Sequence, residues 1–434
     1  VSTQRRLSAT AWLFLLLCLI LAPLQSSAQA SSWSVLKDYA MGHNQELLAI
    51  RQDIQEARGA LRQAGLRPAT QFGLTGTTGR ALGTIGEEQF GASLSKTLEA
   101  VGKRSGRVAM ANEDIALRQA NYDEATRNLR YQLRLRYADY VSESNRLRII
   151  QDVLKTWQNS LNLVSLRVDQ GDAAVLERDL LRVELARSRA EQARIAGSLE
   201  QARLDLAVLA AYEDPTQVPA AEIAVFADPP LLLAEMQSRA LGLRPDLRAA
   251  TIAQRRAEMG VSLAKAEGKP DWALNAGYSR VYSRFDDQKG INPSTGNLVT
   301  LRDRDDLLTV GLEIPLFTGS RNKGNLESAA ARQASSQHRL KAMQISIPLQ
   351  VEAAWNQYAS AREAYQILNG EVLGQSENNL RILQQAYELG HLQMLDVLTE
   401  QRRLYAMRVE AVDLQLRATQ AFAALEYAYA GELP

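Results

Sequence analysis

Hydrophobic and polar positions alternate with period two in four short stretches. In 307–316, Leu308, Val310, Leu312, Ile314 and Leu316 fall on one face, and Leu307, Thr309, Gly311, Glu313 and Pro315 on the other. In 272–282, Trp272, Leu274, Ala276, Tyr278 and Tyr282 oppose Ala273, Asn275, Gly277 and Ser279. A weaker form recurs earlier, with Phe72 and Leu74 aligned in one stretch and Phe90, Ala92, Leu94 and Leu98 in the next. Alternation of this kind predicts strands, at about 69–77, 88–98, 270–282 and 307–316. Their length of about ten residues suits tilted membrane strands. A soluble sheet with one wet face explains the alternation equally well.

Between the strands the period changes. Residues 103–168 and 321–387 have almost no breakers and predict helices roughly 100 Å long, at 1.5 Å per residue. Pro348 is the exception and should kink or break the second helix. The returning segments carry heptad seams. The first is Leu181, Leu185, Ser188, Gln192, Ile195, Leu199, Ala202, Leu206 and Leu209. The second, 219 residues on, is Glu400, Leu404, Met407, Ala411, Leu414, Ala418, Ala421, Leu425 and Ala428. Spacings that alternate four and three specify knobs-into-holes packing.

The shared seam is part of an internal repeat. Residues 44–68 and 246–270 align at an offset of 202, which pairs Ile50 with Ile252 and Pro68 with Pro270. Downstream, Gly102 matches Gly319, Tyr140 matches Tyr358 and Gly171 matches Gly390, at offsets of 217, 218 and 219. The jump of 15 is expected to fall in a longer loop over 283–306, whose counterpart is 77–88. Each copy reads helix, strand, loop, strand, very long helix, turn, long helix. The expected units are 31–230, with a hairpin over about 103–212, and 231–434, with a hairpin over about 321–430.

The N-terminus is patterned differently. Arg5 and Arg6 precede an apolar run over 11–24, and Ala28-Gln29-Ala30 follows. This layout predicts a secretory signal peptide over 1–30, cleaved after Ala30. The run is shorter than the ~20 residues needed to span a bilayer as a helix. Cys18, the one cysteine, lies inside the run without the small residue before it that a lipoprotein site requires. Neither a lipid anchor nor a disulfide framework is expected. Beyond Ala30 no apolar run is long enough for a membrane helix, so the rest is either soluble in an exported compartment or crosses a membrane as strands. With 50 Lys plus Arg against 49 Asp plus Glu, the chain lacks the basic excess of a nucleic-acid binder. Four strands cannot close a barrel, and open edges in lipid leave backbone groups unpaired. Membrane insertion therefore demands oligomerisation; two chains give eight strands and three give twelve.

Three passages resemble the TolC-like outer-membrane efflux factors. They are Gly311-Leu312-Glu313-Ile314-Pro315-Leu316-Phe317-Thr318-Gly319-Ser320-Arg321, the turn Tyr387-Glu388-Leu389-Gly390-His391-Leu392-Gln393-Met394-Leu395-Asp396-Val397-Leu398, and Pro270-Asp271 leading to Gly277-Tyr278. The resemblance covers about residues 40–430. It implies a mainly α fold with a small β part: duplicated coiled-coil hairpins plus four membrane strands per chain. As a homotrimer these would complete a twelve-stranded barrel in the outer membrane of a Gram-negative bacterium and a helical tunnel across the periplasm. A belt of small elements is implied at 213–232. The passage Leu98-Glu99-Ala100-Val101-Gly102-Lys103-Arg104 is similar to the heavy-metal branch, the outer component of cobalt–zinc–cadmium efflux systems. Many relatives carry a lipid on an N-terminal cysteine, from which this chain departs. The implied partners are a periplasmic adaptor, an inner-membrane RND-type transporter and outer-membrane lipid. Ducts for drugs, solvents or type I secretion would present the same scaffold.

The resemblance also places candidate sites. The hairpin ends, 167–180 and 386–399, would dock the adaptor and close the tunnel, with Gly171 and Gly390 as turn points. Glu177 and Asp396 each lie six residues beyond a glycine; Tyr387 is expected either to pack at the tip or to serve ordinary helix packing. In a trimer Asp396 would recur as a carboxylate ring able to attract cations; a solvated helix-surface acid is the plainer reading. Glu313 and Asn275 would face the barrel lumen, and Trp272 and Tyr282 the membrane interfaces. His43, His338 and His391 show no metal-ligand spacing. No phosphate loop and no catalytic constellation is present, so neither an enzyme nor a cofactor is expected. The competing architecture is a soluble periplasmic coiled-coil adaptor, which would carry one hairpin flanked by lipoyl-like and barrel β-segments.

Overall fold

The computed structural model describes residues 32–79, 82–83, 87–222, 232–316 and 321–431, apart from the side chains of 285–287. The expected signal peptide, residues 223–231 of the expected belt and residues 317–320 lie outside the described residues.

One order of elements occurs twice. Helices α1 (Ser32–His43) and α2 (Gln45–Ala64) lead into strands β1 (Gln71–Thr78) and β2 (Glu87–Leu98), then into helices α3 (Lys103–Gln170) and α4 (Val175–Ala210). After a short turn of 3-10 helix at Pro215–Gln217 the order resumes with α5 (Leu233–Leu243) and α6 (Pro245–Glu267). Strands β3 (Trp272–Ile291) and β4 (Leu298–Glu313) follow, then α7 (Lys323–Ile367), α8 (Leu373–Glu388) and α9 (Met394–Tyr429). Helix α3 has 68 residues, roughly 100 Å at 1.5 Å per residue. Its apolar positions recur on a helical period, with Leu129, Leu133 and Tyr137 buried along one side.

The two halves bury corresponding residues. In the first, Leu36, Ala40 and Leu47 pack with Leu129, Leu133, Leu206 and Ala210. In the second, Met236, Ala240 and Leu247 pack with Ile347, Val351, Leu425 and Tyr429. Both heptad seams lie in the interface. Leu181, Leu185, Ser188, Ile195 and Leu206 are buried in α4, and Leu404, Ala411, Ala418, Ala421, Leu425 and Ala428 in α9.

Pro348 does not break α7, which runs through it. Ile347 and Val351 on either side are buried in the cluster with Met236, and Gln237 Nε2 donates to Pro348 O at 3.2 Å. Packing on both flanks outweighs the one hydrogen bond that proline removes. The irregularity lies further on, in a π-helical turn over Leu368–Val372 between α7 and α8. A π turn absorbs one extra residue in an α-helix. It falls between Tyr358, at offset 218, and Gly390, at offset 219, and so accounts for that one-residue step of the repeat.

All strands pair antiparallel in the order β1-β2-β3-β4, so the two halves meet at β2 and β3. The expected loop over 283–306 is mostly strand. β3 and β4 stay paired out to Ile291 opposite Leu298, with a register shift between Phe285 and Lys289. Only a tight turn remains, in which Gly296 (φ 67°) donates to Asn292 O at 2.8 Å. The segment is rich in β-formers such as Val281, Tyr282, Val299 and Thr300, and its charges pair across strands, as in Arg280–Asp306 at 2.6 Å. At the other end β4 stops at Glu313 rather than running to 316, because Pro315 has no N–H to donate.

Deleting Gly370 should turn the π turn into regular helix and leave the buried stripes on both sides in register. Circular dichroism should then give an unfolding midpoint within a few degrees of the parent. Deleting Ala354, inside the buried stripe of α7, should lower it far more.

Candidate functional site

The hairpin tips are built by two copies of one turn. At the end of α3, Asp172 N donates to Arg167 O at 2.8 Å and Gly171 N to Val168 O at 3.0 Å. At the end of α8, His391 N donates to Ala386 O at 2.9 Å and Gly390 N to Tyr387 O at 2.9 Å. Gly171 (φ 84°) and Gly390 (φ 79°) occupy the left-handed position that this motif requires. The tips share a core in which Trp157 and Val164 of α3, Leu181 and Leu185 of α4, Tyr387 of α8, and Met394, Val397 and Leu398 of α9 are buried.

Two of the expected tip residues meet and the third stands apart. The Tyr387 hydroxyl donates to Glu177 Oε2 at 2.9 Å, linking the second hairpin to the first. The ring is buried, with the Arg167 guanidinium 5.1 Å from its centre. Burial pushes the Tyr387 phenol up to about 12, and the Glu177 carboxylate adds to the rise. Asp396 is exposed and tied into its own helix start. Its Oδ2 accepts from Gln393 N at 3.3 Å, and the Gln393 side chain accepts from the Asp396 backbone in return. Sequence reasoning missed the apolar residues that the tips leave exposed, among them Leu166, Val175, Leu176, Leu389 and Leu395. Their signal was available as apolar side chains placed next to turn glycines.

The sheet sorts its residues by register. Leu274 lies opposite Leu312, Ala276 opposite Val310, Tyr278 opposite Leu308, and Trp272 opposite Leu98. Phe72 and Leu74 continue this face through Leu94 and Ala92. Its large side chains are exposed: Leu308 by 78%, Val310 by 72%, Phe72 by 67%. The other face is mostly small and polar, with Val281 and Leu307 as exceptions. Asn275 lies there opposite Ser95 and Gly311, accepting from the Ser95 hydroxyl at 2.6 Å. Glu313, opposite Ala273, shares this polar face and is exposed. Trp272 stands on the apolar face at the helical end of the sheet, and Tyr282 on the same face toward the hairpin end.

The passage Gly102-Lys103-Arg104 ties the halves together. Lys103 Nζ lies 2.8 Å from Asp271 Oδ1, which also accepts from Ala100 N at 2.8 Å. Arg104 Nε donates to Gly65 O at 2.6 Å. Gly102 has φ 102°, and a Cβ there would stand 3.2 Å from Ala266 Cβ. This local geometry explains the basic junction without a metal. His43 stacks on Tyr39 with ring centres 4.1 Å apart, and His338 and His391 are exposed. Among the described residues no group of three or more His, Cys, Asp or Glu is placed to hold a metal ion. No helix among them is long and apolar enough to cross a membrane.

Tyr387→Phe should cost about 0.5–1.5 kcal/mol at pH 8 by denaturant unfolding, the usual net worth of one hydrogen bond. The phenol is raised above its ordinary value near 10, so its stabilising share is complete below pH ~10 and lost as pH rises toward 12. The gap between the parent and Tyr387→Phe should therefore narrow between pH 10 and pH 12.

Residues 236–431 match the family described as outer membrane efflux protein. The cobalt-zinc-cadmium resistance protein CzcC of Cupriavidus metallidurans is 25% identical over 371 residues, 85% of this chain and 83% of that protein. The pyoverdine export outer membrane protein OpmQ of Pseudomonas putida is 28% identical over 418 residues, covering 90% and 83%. Among solved structures, CusC superposes with a TM-score of 0.73 at 21% identity, covering 92% of each chain. The open state of the MtrE outer membrane channel of Neisseria gonorrhoeae gives 0.73 at 23% identity, covering 92% and 89%. The doubled hairpins and the apolar sheet face thus accompany a match to the outer membrane efflux protein family over the second half of the chain, residues 236–431.

Proposed function

We propose that this protein is the outer-membrane duct of a tripartite efflux pump, working as a homotrimer. The observation that carries this reading is the sheet: four strands with an exposed apolar face and one open edge each on β1 and β4, mounted on helices of about 100 Å. Three copies give twelve strands and close those edges, which lipid requires. Asn275 and Glu313 then line the lumen, where polar groups meet water. Trp272 and Tyr282 stand at the two interfaces of the bilayer, where amphipathic rings are favoured. The helices form a tunnel on the periplasmic side, and the signal segment is removed after Ala30.

The tips act as gate and docking region. Gly171 and Gly390 set the turns, and Tyr387 with Glu177 locks one hairpin to the other. The exposed Leu176, Leu389 and Leu395 offer an apolar surface to a periplasmic adaptor. Asp396, repeated three times, supplies negative charge at the narrow end of the duct. Nothing in the chain resembles a nucleotide site, so the driving energy comes from an inner-membrane transporter. Heavy-metal cations are the cargo we favour, on the likeness to CzcC and to the cation efflux protein CusC of Escherichia coli, 27% identical over 277 residues. The comparable likeness to OpmQ supports an organic cargo as the second reading.

Deleting the gene from its host should lower the inhibitory concentrations of zinc, cobalt, cadmium or copper several-fold. Unchanged metal tolerance with new sensitivity to drugs or chelators would transfer the assignment to the organic cargo. Asp396→Asn removes the charge but keeps an oxygen to accept from Gln393 N. In planar bilayers it should reduce cation selectivity or change conductance; if both stay at the parent values, Asp396 is not at the constriction.

A further inference from the structure

Where the four long helices run together, α4 packs on α3, α3 on α9, and α9 on α7, so that α4 and α7 stand at the two ends of an arc. The buried clusters fix which residues of the two halves correspond. Leu129 and Leu133 of α3 match Ile347 and Val351 of α7, 218 residues on, and Leu206 and Ala210 of α4 match Leu425 and Tyr429 of α9, 219 residues on. The junction of α3 with α9, where one half of the chain meets the other, therefore has a counterpart between α7 and α4. Within one chain those helices lie at opposite ends of the arc, so the counterpart can form only between copies.

At the inner junction two side chains of α3 clasp one of α9. The Arg127 guanidinium lies 3.9 Å from the Tyr427 ring centre, and the rings of Tyr131 and Tyr427 stack at 4.8 Å. The same offsets carry Arg127 to Ile345, Tyr131 to Leu349 and Tyr427 to Val208. All three are apolar and stand bare in the single chain: Ile345 is 69% exposed, Leu349 61% and Val208 80%. They are the two halves of one contact, held apart until a second copy arrives. Charge follows the same rule. Inside the chain Arg146 of α3 pairs with Asp413 of α9. On α4 the place of Asp413 is taken by Arg194, which Glu191 holds at 2.7 Å. On α7, Glu363 lies one residue before the place of Arg146; it is exposed and has no ionic partner among the described residues. The signs are exchanged and remain complementary.

We infer that Ile345 and Leu349 of one copy pack on Val208 of the next, with Glu363 facing Arg194, and that this seam joins the helical walls of neighbouring subunits. The inference rests on the homotrimer reading above and names the surface that reading requires. Three copies then make one kind of junction six times, three within chains and three between them. The exchange of Arg127 and its aromatic partners for aliphatic side chains has a physical reason. A junction made during folding can keep a buried guanidinium, whereas one made on encounter must first shed water, which a charge resists and an apolar group favours.

The test uses the purified full chain in detergent, with Cys18→Ser to remove the one native thiol. Val208→Cys/Ile345→Cys, treated with a short bis-maleimide, should give covalent dimers and trimers on a denaturing gel, and each single variant should stay monomeric. Val183→Cys/Ile345→Cys places the first thiol roughly 37 Å nearer the tip, at 1.5 Å per residue, and should cross-link at least fivefold less. Val208→Asp should lower the trimer fraction at least fivefold in sedimentation, and Val208→Asp/Ile345→Lys should recover at least half of it. Equal cross-linking from Val183, or an undiminished trimer in Val208→Asp, would overturn the inference. So would equal protection of the Val208→Cys thiol from maleimide in the dissociated subunit and in the trimer, which would assign its cover to residues 223–231 of the same chain. Sedimentation of the parent is scored separately: no trimer there sinks the homotrimer reading, whereas a trimer without the cross-link between positions 208 and 345 sinks only the seam.

Discussion

β1 and β4 each have a neighbour on one side only, and the face they share with β2 and β3 is apolar and exposed. Unpaired backbone groups and bare apolar surface are both unfavourable in water, and unpaired backbone groups are worse in lipid. Nothing within the described chain covers that face. The rest of the architecture can be understood from this constraint. A sheet that needs copies of itself must be presented so that the copies meet edge to edge. In the proposed oligomer, long helices leaving one end of it, as α3 and α7 do, would keep the subunits parallel over a long contact.

The duplication supplies such a mount, and buried ion pairs hold its halves in register. Arg127 of α3 is buried, with its guanidinium 3.9 Å from the Tyr427 ring centre. It donates to Glu124 at 2.8 Å and also to Tyr427 O on α9. Arg244, just before α6, pairs with Asp246 at 2.5 Å and donates to Gln350 at 2.7 Å. Burial alone would raise the Asp246 carboxyl, but the guanidinium groups of Arg244 and Arg127 hold it below the usual value. Buried pairs of this kind add little net stability, because desolvation offsets their attraction. Their geometric demands fix one alignment of α3, α6 and α9, which an Ala- and Leu-rich seam alone leaves free to slide. In the clusters themselves the two halves differ where the chain requires it, as at Tyr358 and Phe422, whose rings meet at 5.4 Å.

Much of this was legible in the sequence because period and offset are physical. A period of two at Leu308, Val310 and Leu312 marks a face. The heptads from Leu181 and from Glu400 mark seams, and glycines at offset 219 mark turns. What was not legible had competing signals. Pro348 reads as a breaker, yet Ile347 and Val351 are held from both sides. The π turn contains no breaker but glycine, and only the drift of the repeat offset from 218 to 219 records it. Residues 283–306 read as a loop because they are charged. Their charges instead alternate with the pleat, which is how a strand presents polar residues. The Lys103–Asp271 and Tyr387–Glu177 links join positions far apart in the chain, and no local pattern announces such pairs.

The two tips also show how one missing atom set divides the labour between equivalent acids. Glu177 and Asp396 occupy corresponding positions, each the third residue of its helix. In α9 the N-cap is Gln393, whose side chain engages the Asp396 backbone while Asp396 returns to the Gln393 N–H. In α4 the N-cap is Ala174, which has no side-chain oxygen to offer. A capping box cannot form there, so Glu177 is free to turn toward the neighbouring hairpin, where Tyr387 meets it. Val168, the counterpart of Tyr387 in the first hairpin, has no hydroxyl with which to reciprocate. The symmetric sequence thus yields one acid committed to joining the hairpins and one held in place at an exposed helix start. Of the two, only Asp396 is exposed to water at the end of the molecule, while Glu177 is half-buried against the Tyr387 hydroxyl.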